Sequence, residues 1–425
     1  MEKIVIEGGV PLQGTVDISG AKNAALPILA AALLSNGPVT LSRIPKLRDI
    51  DTMLSILQDL GLQAEQSGND VFLNPISQEN CCASYELVRQ MRASIAVLGP
   101  LLARRGRAKV SMPGGCVIGV RPIDLHLKGL RALGASIRME NGYVIAEAKR
   151  LKGAEIYLGG AFGASVLATA NVMMAATLAE GKTVIECAAC EPEVEDLANF
   201  LIAMGAQIKG AGTHRIEIEG VTELHGASYN IIPDRIEAGT FLMAAAMTRG
   251  SVTLQNINPR HLLCVIDKLE EMGLTLIRGE NTLTLHGEKR SLTSDLSTYP
   301  YPGFPTDLQA QIVALLSVSE GTATVTERVY PDRFMHVAEL NRMGAQIQKD
   351  GAAIAIQGVP QLCGAPVMAS DLRASAALVL AGLSAKGCTE IHRIYHIDRG
   401  YEKIEAKLSS LGAKIWREED TSGTS

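Results

Sequence analysis

Four of the 40 Lys and Arg residues of this 425-residue chain share one recurring position. Gly37, Gly106, Gly181, Gly250, Gly321 and Gly387 each close an alanine-rich apolar segment. Counting back from them by about four helical turns reaches Lys22, Arg92, Ser165, Arg235, Asp307 and Arg373. If the segments are helices, the cations stand at their amino-terminal ends, where the backbone dipole is positive and Asp or Glu is favoured. A cation there is unfavourable unless an anion comes with it, and free N–H groups beside a cation suit a phosphate or carboxylate. The plainer alternative is four solvated charges, which cost little. Asp307 is the carboxylate of the set, suited to act as a base toward a hydroxyl or to orient it; in "PTDLQ" it also reads as a helix N-cap.

Cys116, in "MPGGCVIGVRPIDLHLKGL", is the other chemical candidate. A Gly-Gly turn is a poor place to bury a thiol for packing, so this cysteine is presented to something. Cationic neighbours such as Arg121 would ease its ionisation and suit acid, base or nucleophile work. Cys187 and Cys190 form a single C-x-x-C with no second pair at finger spacing, which argues for ordinary thiols over a zinc site. His392 and His396 stand four apart in a segment that reads as strand into loop, and are expected to be structural.

The elements that must hold these residues repeat. "LQDLGL", "LRALGA", "LIAMGA", "LEEMGL", "LNRMGA" and "LSSLGA" carry Gly61, Gly134, Gly205, Gly273, Gly344 and Gly412, a nearly even series. Each phrase reads as the last turn of an amphipathic helix stopped by glycine and followed by an alternating strand. With the alanine-rich helix and a strand before it, the unit is helix, strand, helix, strand, and six such units make an internally repeated α/β protein. The midpoint lies near "GASYNIIPDR", so we expect three units over 22–229 and three over 230–425, the latter joined by the extra segment 1–21. The second unit has the longest stretch between its two glycines, Gly106 and Gly134, and the surplus coincides with "PGGCVIG". Cys116 thus lies on a loop added to a scaffold.

Composition narrows the class. At 47% hydrophobic and 20% charged residues, with a formal net charge of -5, the chain suits two or more globular domains and has no basic tract for nucleic acid or an anionic membrane. Its longest apolar stretch, "AALPILAAALL", is too short for membrane insertion, and "MEKIVIEGG" lacks signal-peptide features, so a cytoplasmic enzyme is expected.

"GAKNAALPILAAALL", "MRAS", "PGGCVIGVRPIDLHLKGLRALGA", "PDRIEAGTFL", "PTDLQAQ", "RFMHVAELNRMGA", "DLRASAALVLAGL" and "IYHIDRGYEKIE" together resemble the enolpyruvyl transferase family, in particular its members acting on UDP-N-acetylglucosamine. The resemblance runs over about residues 1–418. It implies a two-domain inside-out α/β barrel of six repeated units, three per domain, with the active site in a cleft between domains. The implied reaction moves the enolpyruvyl group of phosphoenolpyruvate to the 3'-hydroxyl of UDP-N-acetylglucosamine, releasing phosphate through a tetrahedral intermediate. No metal or organic cofactor is implied.

Carried onto this chain, the resemblance puts Lys22 and Asn23 at phosphoenolpyruvate, with Arg121 and Arg399 on its phosphate and carboxylate. Arg92 and Arg373 add positive potential, with Asp371 beside them. The run Arg121, Pro122, Ile123, Asp124 and Leu125 would receive the uridine end, and Ser165, Val166 and Val329 make further nucleotide contacts. Asp307 faces the sugar hydroxyl. Cys116 matches the loop cysteine associated with proton delivery and product release, the one alkylated by fosfomycin, so the resemblance implies fosfomycin sensitivity. One departure stands out: in "GGAFGASVLATANVMM", Leu167 replaces a usual glycine and Gly163 falls where a lysine can occur, which weakens the expected diphosphate contacts. The alternatives are a shikimate 3-phosphate enzyme of the same architecture and a non-catalytic sugar-nucleotide-binding relative.

Overall fold

The alanine-rich segments are helices, and most of their residues are buried. In the computed structural model, which describes residues 2–112 and 122–420, they are Lys22–Ala31, Leu98–Arg105, Val166–Ala176, Arg235–Met247, Gln309–Val318 and Leu372–Ser384. Apolar residues surround most of their circumference, the pattern of a helix with protein on every side. Single 3-10 segments, Arg92–Val97 and Thr306–Leu308, lead into two of them. Small residues let them pack closely: a Cβ at Gly99 would lie 2.3 Å from the Asn171 carbonyl oxygen, so this crossing requires glycine.

Each repeat adds a second, amphipathic helix. Arg48–Asp59 is typical, burying Ile50, Met53, Leu54 and Leu57 while its opposite face is polar. The glycines after these helices, Gly61, Gly134, Gly205, Gly273, Gly344 and Gly412, all have φ between 83° and 105°, a region that a side chain would strain. The other glycine set behaves less uniformly than expected. Gly106 caps its helix in the left-handed conformation. The helices before Gly181, Gly321 and Gly387 instead stop earlier, at Ala176, Val318 and Ser384. There the chain turns out to make a single bridge to a neighbouring segment, as Glu180 does with Lys152.

Among the described residues, six four-stranded sheets share one plan. Cys82–Ala83 runs parallel to Arg107–Ser111, which pairs antiparallel with Tyr143–Glu147, itself antiparallel to Ser136–Glu140. In the last sheet the third place is filled from the start of the chain: Glu2–Glu7 pairs with Cys388–His392 on one side and Lys414–Glu419 on the other. Gln13–Asp17 lies parallel to Ser251–Gln255. Strands such as Ala353–Gln357 alternate buried and exposed positions, so one face of the sheet meets helices and the other meets water.

The chain divides into two compact units, residues 20–112 with 122–232, and residues 2–19 with 233–420. Each holds three of the six sheets and its own apolar core.

Candidate active site

Asp307 sits in the 3-10 turn Thr306–Leu308 at the head of a buried helix. Its Oδ1 accepts from Arg333 Nη1 and its Oδ2 from Arg373 Nη2, each at 2.9 Å. The two guanidinium side chains are 8% and 4% exposed, whereas 26% of the aspartate side chain remains open. Burial alone would raise the Asp307 carboxyl, but the charges and hydrogen bonds of Arg373 and Arg333 outweigh it and hold the group well below the usual carboxylate range. The N-cap expected from "PTDLQ" is not made, because both oxygens are turned to the arginines.

Behind this pair lies a buried polar network. Arg373 Nη1 donates to the Tyr401 hydroxyl at 3.2 Å, and its guanidinium lies 5.6 Å from the centre of that ring. The Tyr401 hydroxyl is 2.8 Å from Thr240 Oγ1, and Gln311 Nε2 reaches the Tyr401 hydroxyl at 3.1 Å and the Asp307 carbonyl at 3.0 Å. Burial of Arg373 is outweighed by Asp307, so the arginine stays charged. Asp371 N-caps the helix Leu372–Ser384 through the backbone N–H groups of Arg373 and Ala374. Arg399 closes the 3-10 segment Ile394–Arg399, shortly before Tyr401. Val329 N donates to Glu327 Oε1 at 2.8 Å.

The other unit carries a second cluster. Lys22, the first residue of its helix, places Nζ 2.7 Å from Asp49 Oδ2, with side chains only 10% and 4% exposed. Asn23 follows it on the same helix. Arg92 begins the 3-10 segment Arg92–Val97. Pro122 and Ile123 lead into the helix Asp124–Ala132, which presents Asp124 and Leu125 in its first turn. Ser165 caps Val166–Ala176, its hydroxyl accepting from Ala168 N at 3.4 Å. Just before it, Gly159–Gly160 pairs with Gly163–Ala164 as a short hairpin. A Cβ at Gly160 would lie 3.0 Å from Leu125 Cδ1, so the Leu125 and Ser165 segments are neighbours. Leu167, at the sequence departure, packs part-buried on the core.

Buried His126 belongs to this cluster. Asn171 Oδ1 accepts from Gly99 N at 2.7 Å, which turns its amide nitrogen toward Ile95 O at 2.8 Å and His126 Nδ1 at 2.9 Å. Nδ1 therefore accepts, and the ring proton is assigned to Nε2. Burial first, then the Arg92 charge, pushes His126 down to about 3. The unfolded chain takes up this proton below about pH 6.5, the folded chain only near 3. Stability from neutral His126 is thus fully present above about 6.5 and lost progressively as pH falls toward 3. In a histidine NMR titration, the His126 ring signals should not move between about pH 8 and 5; a midpoint near 6.5 would contradict the buried arrangement.

The structure brings Asp307 and Arg373 into direct contact and sets Asp371 at the same helix start. At Lys22 and Arg373 the protein places a carboxylate of its own beside the cation. Arg235 stacks 5.5 Å from the Tyr301 ring centre. Cys116 and Arg121 lie outside the described residues. Sequence reasoning passed over Asp49, His126, Gln311, Arg333 and Tyr401. Arg333 and Tyr401 stand inside "RFMHVAELNRMGA" and "IYHIDRGYEKIE", so a count of charged and hydroxyl-bearing residues in those runs would have raised them, whereas Asp49 has no local signal. No cluster of three or more His, Cys, Asp or Glu suited to a metal occurs among the described residues, and no helix there is long and apolar enough to cross a membrane.

Comparison with known proteins fits this picture. The profile of the EPSP synthase (3-phosphoshikimate 1-carboxyvinyltransferase) family matches residues 6–408. The chain is 56% identical over 422 residues to a UDP-N-acetylglucosamine 1-carboxyvinyltransferase of Coxiella burnetii, covering 98% of this chain and 96% of that one. It is also 56% identical to UDP-N-acetylglucosamine 1-carboxyvinyltransferase 2 of Carboxydothermus hydrogenoformans, covering 99% and 100%. Among solved structures it is similar to the enolpyruvyl transferase NikO from Streptomyces tendae, with a TM-score of 0.89, 25% identity and 98% of both chains covered. It shares its fold with an EPSP synthase from Acinetobacter baumannii, with a TM-score of 0.77, 19% identity, and 99% and 100% covered.

Proposed function

The chain belongs to the EPSP synthase family of enolpyruvyl transferases, and from that membership we propose that it transfers the enolpyruvyl group of phosphoenolpyruvate to the 3'-hydroxyl of UDP-N-acetylglucosamine, releasing phosphate. The observation that carries the reading is 56% identity, over nearly the whole length, to relatives named for this reaction. The shikimate 3-phosphate alternative rests on the shared family profile and on a 19% identical structure, and is not favoured. The reading brings with it a role in peptidoglycan synthesis and a cytoplasmic location.

In this reading the sugar hydroxyl gives up its proton as its oxygen bonds to C2 of phosphoenolpyruvate, the C2–C3 double bond opens and C3 takes a proton, giving a tetrahedral adduct. The adduct then loses phosphate from C2 and a proton from C3. Lys22, Arg92, Arg121, Arg373 and Arg399 supply the positive charge that phosphoenolpyruvate requires, arginine in particular because its planar fork stays charged and binds two oxygens at once. The 121–125 segment, Ser165, Val166 and Val329 hold the nucleotide, and Cys116 serves proton delivery or product release.

Asp307 receives the 3'-hydroxyl. A carboxylate held low by two arginines is a weak net proton acceptor, so its geometry supports orienting the hydroxyl over carrying its proton away. Phosphate release from phosphoenolpyruvate should therefore depend on added UDP-N-acetylglucosamine and not on shikimate 3-phosphate. Release with shikimate 3-phosphate alone, or none with either acceptor, would overturn the assignment.

A further inference from the structure

Glu327 is wholly buried, with 0% of its surface exposed, and plays no part in the chemistry above. Four donors converge on its two oxygens. Thr298 Oγ1 (2.7 Å), Val329 N (2.8 Å) and Tyr330 N (2.9 Å) donate to Oε1, and Thr306 Oγ1 (3.0 Å) donates to Oε2. Thr298 Oγ1 also accepts from Arg328 N at 3.0 Å, so its hydroxyl uses both a lone pair and its proton. A buried carboxylate is costly unless its lone pairs are taken up, and here they are. The second oxygen leads toward Asp307: Thr306 Oγ1 accepts from Arg333 Nη1 at 3.1 Å, and the same Nη1 donates to Asp307 Oδ1 at 2.9 Å.

We propose that Glu327 is a positioning residue that locks the turn bearing Val329 with one oxygen and, through Thr306 and Arg333, sets the Asp307 carboxylate with the other. The inference rests on the proposed function, since it takes Val329 as a nucleotide contact and Asp307 as the group at the sugar hydroxyl. One acidic side chain then holds two ends of the same substrate in register, which matters because a displacement of about 1 Å at a reacting centre costs on the order of a hundredfold in rate.

The two oxygens separate by mutation. Glu327→Gln keeps an oxygen for Thr298, Val329 and Tyr330 but turns an amide N–H toward Thr306, so it disturbs the Asp307 branch. Thr306→Val cuts that branch one link further on, and Thr306→Ser retains it. Phosphate-release kinetics on the purified full chain should show Glu327→Gln and Thr306→Val each lowering kcat about tenfold with KM for phosphoenolpyruvate unchanged, as expected for loss of one positioning contact. The double variant should be no slower than either single one, because both break one chain. Thr306→Ser should recover most of the rate.

Additive losses in the double variant, equal rises in both KM values, or failure of serine to restore what valine loses would overturn the proposal. If Glu327→Gln does not fold, the Thr306 pair decides alone. Failure of the parent chain to release phosphate with UDP-N-acetylglucosamine would sink the functional reading itself, a result distinct from normal parent activity with unaffected variants.

Discussion

Asp307→Asn lowers kcat by roughly a hundredfold, the loss expected when the group that orients a reacting hydroxyl is displaced, while UDP-N-acetylglucosamine affinity falls only a few-fold. The substitution preserves shape but removes the negative charge from between two buried guanidinium groups. The asparagine oxygen can accept from Arg333 or from Arg373, and its NH2 then faces the other arginine, so one cation loses its acceptor and the carboxylate proposed to orient the sugar hydroxyl is gone. Nucleotide affinity survives because its proposed contacts lie elsewhere, at residues 121–125, Ser165, Val166 and Val329. Turnover from phosphate release and affinity from titration calorimetry give the two quantities separately. A variant that turns over normally but binds the nucleotide poorly would remove Asp307 from the chemistry. The same substitution should lower thermal stability, because breaking a buried ion pair from one side costs about 3–5 kcal/mol, with Arg333 and Arg373 only 6% and 3% exposed as whole residues. Rates are therefore to be compared per folded molecule.

Lys22→Met is expected to abolish measurable turnover and to destabilise the fold together, for two different reasons. The activity is lost with the cation proposed to face phosphoenolpyruvate. The stability falls because Asp49, 3% exposed, loses its ion-pair partner at 2.7 Å, again a matter of about 3–5 kcal/mol. Adding Asp49→Asn separates the two effects: the double variant no longer buries that carboxylate charge, so its melting temperature should recover most of the loss, whereas its turnover should not. Recovery of turnover along with stability would show that Lys22 acts only as a structural partner of Asp49.

Much of the architecture is legible one segment at a time. The evenly recurring glycines, from Gly61 to Gly412, mark helix ends, because ending a helix in the left-handed conformation is a local demand that only glycine meets without strain. Alanine-rich runs without a polar stripe predict helices covered on every side, and alternating strands predict sheets with one wet face. The repeated unit, and with it the α/β class and the six sheets, follows from these local rules. Lys22, Asp307 and Arg373 are likewise visible as helix-start residues, since their position relative to a closing glycine is a matter of counting.

What those residues touch was not visible. The Asp307 carboxylate meets Arg333 and Arg373, 26 and 66 positions away, and Lys22 meets Asp49 from a different helix. The first strand closes a sheet with residues 388–392, across nearly the whole chain. Periodicity and propensity act over one or two helical turns, but an ion pair depends on small distances between elements whose separation is decided when the apolar cores close. Only the folded chain therefore showed that carboxylates of its own stand beside Lys22 and Arg373, and that an aspartate readable as a helix cap is a carboxylate clamped between two guanidinium groups.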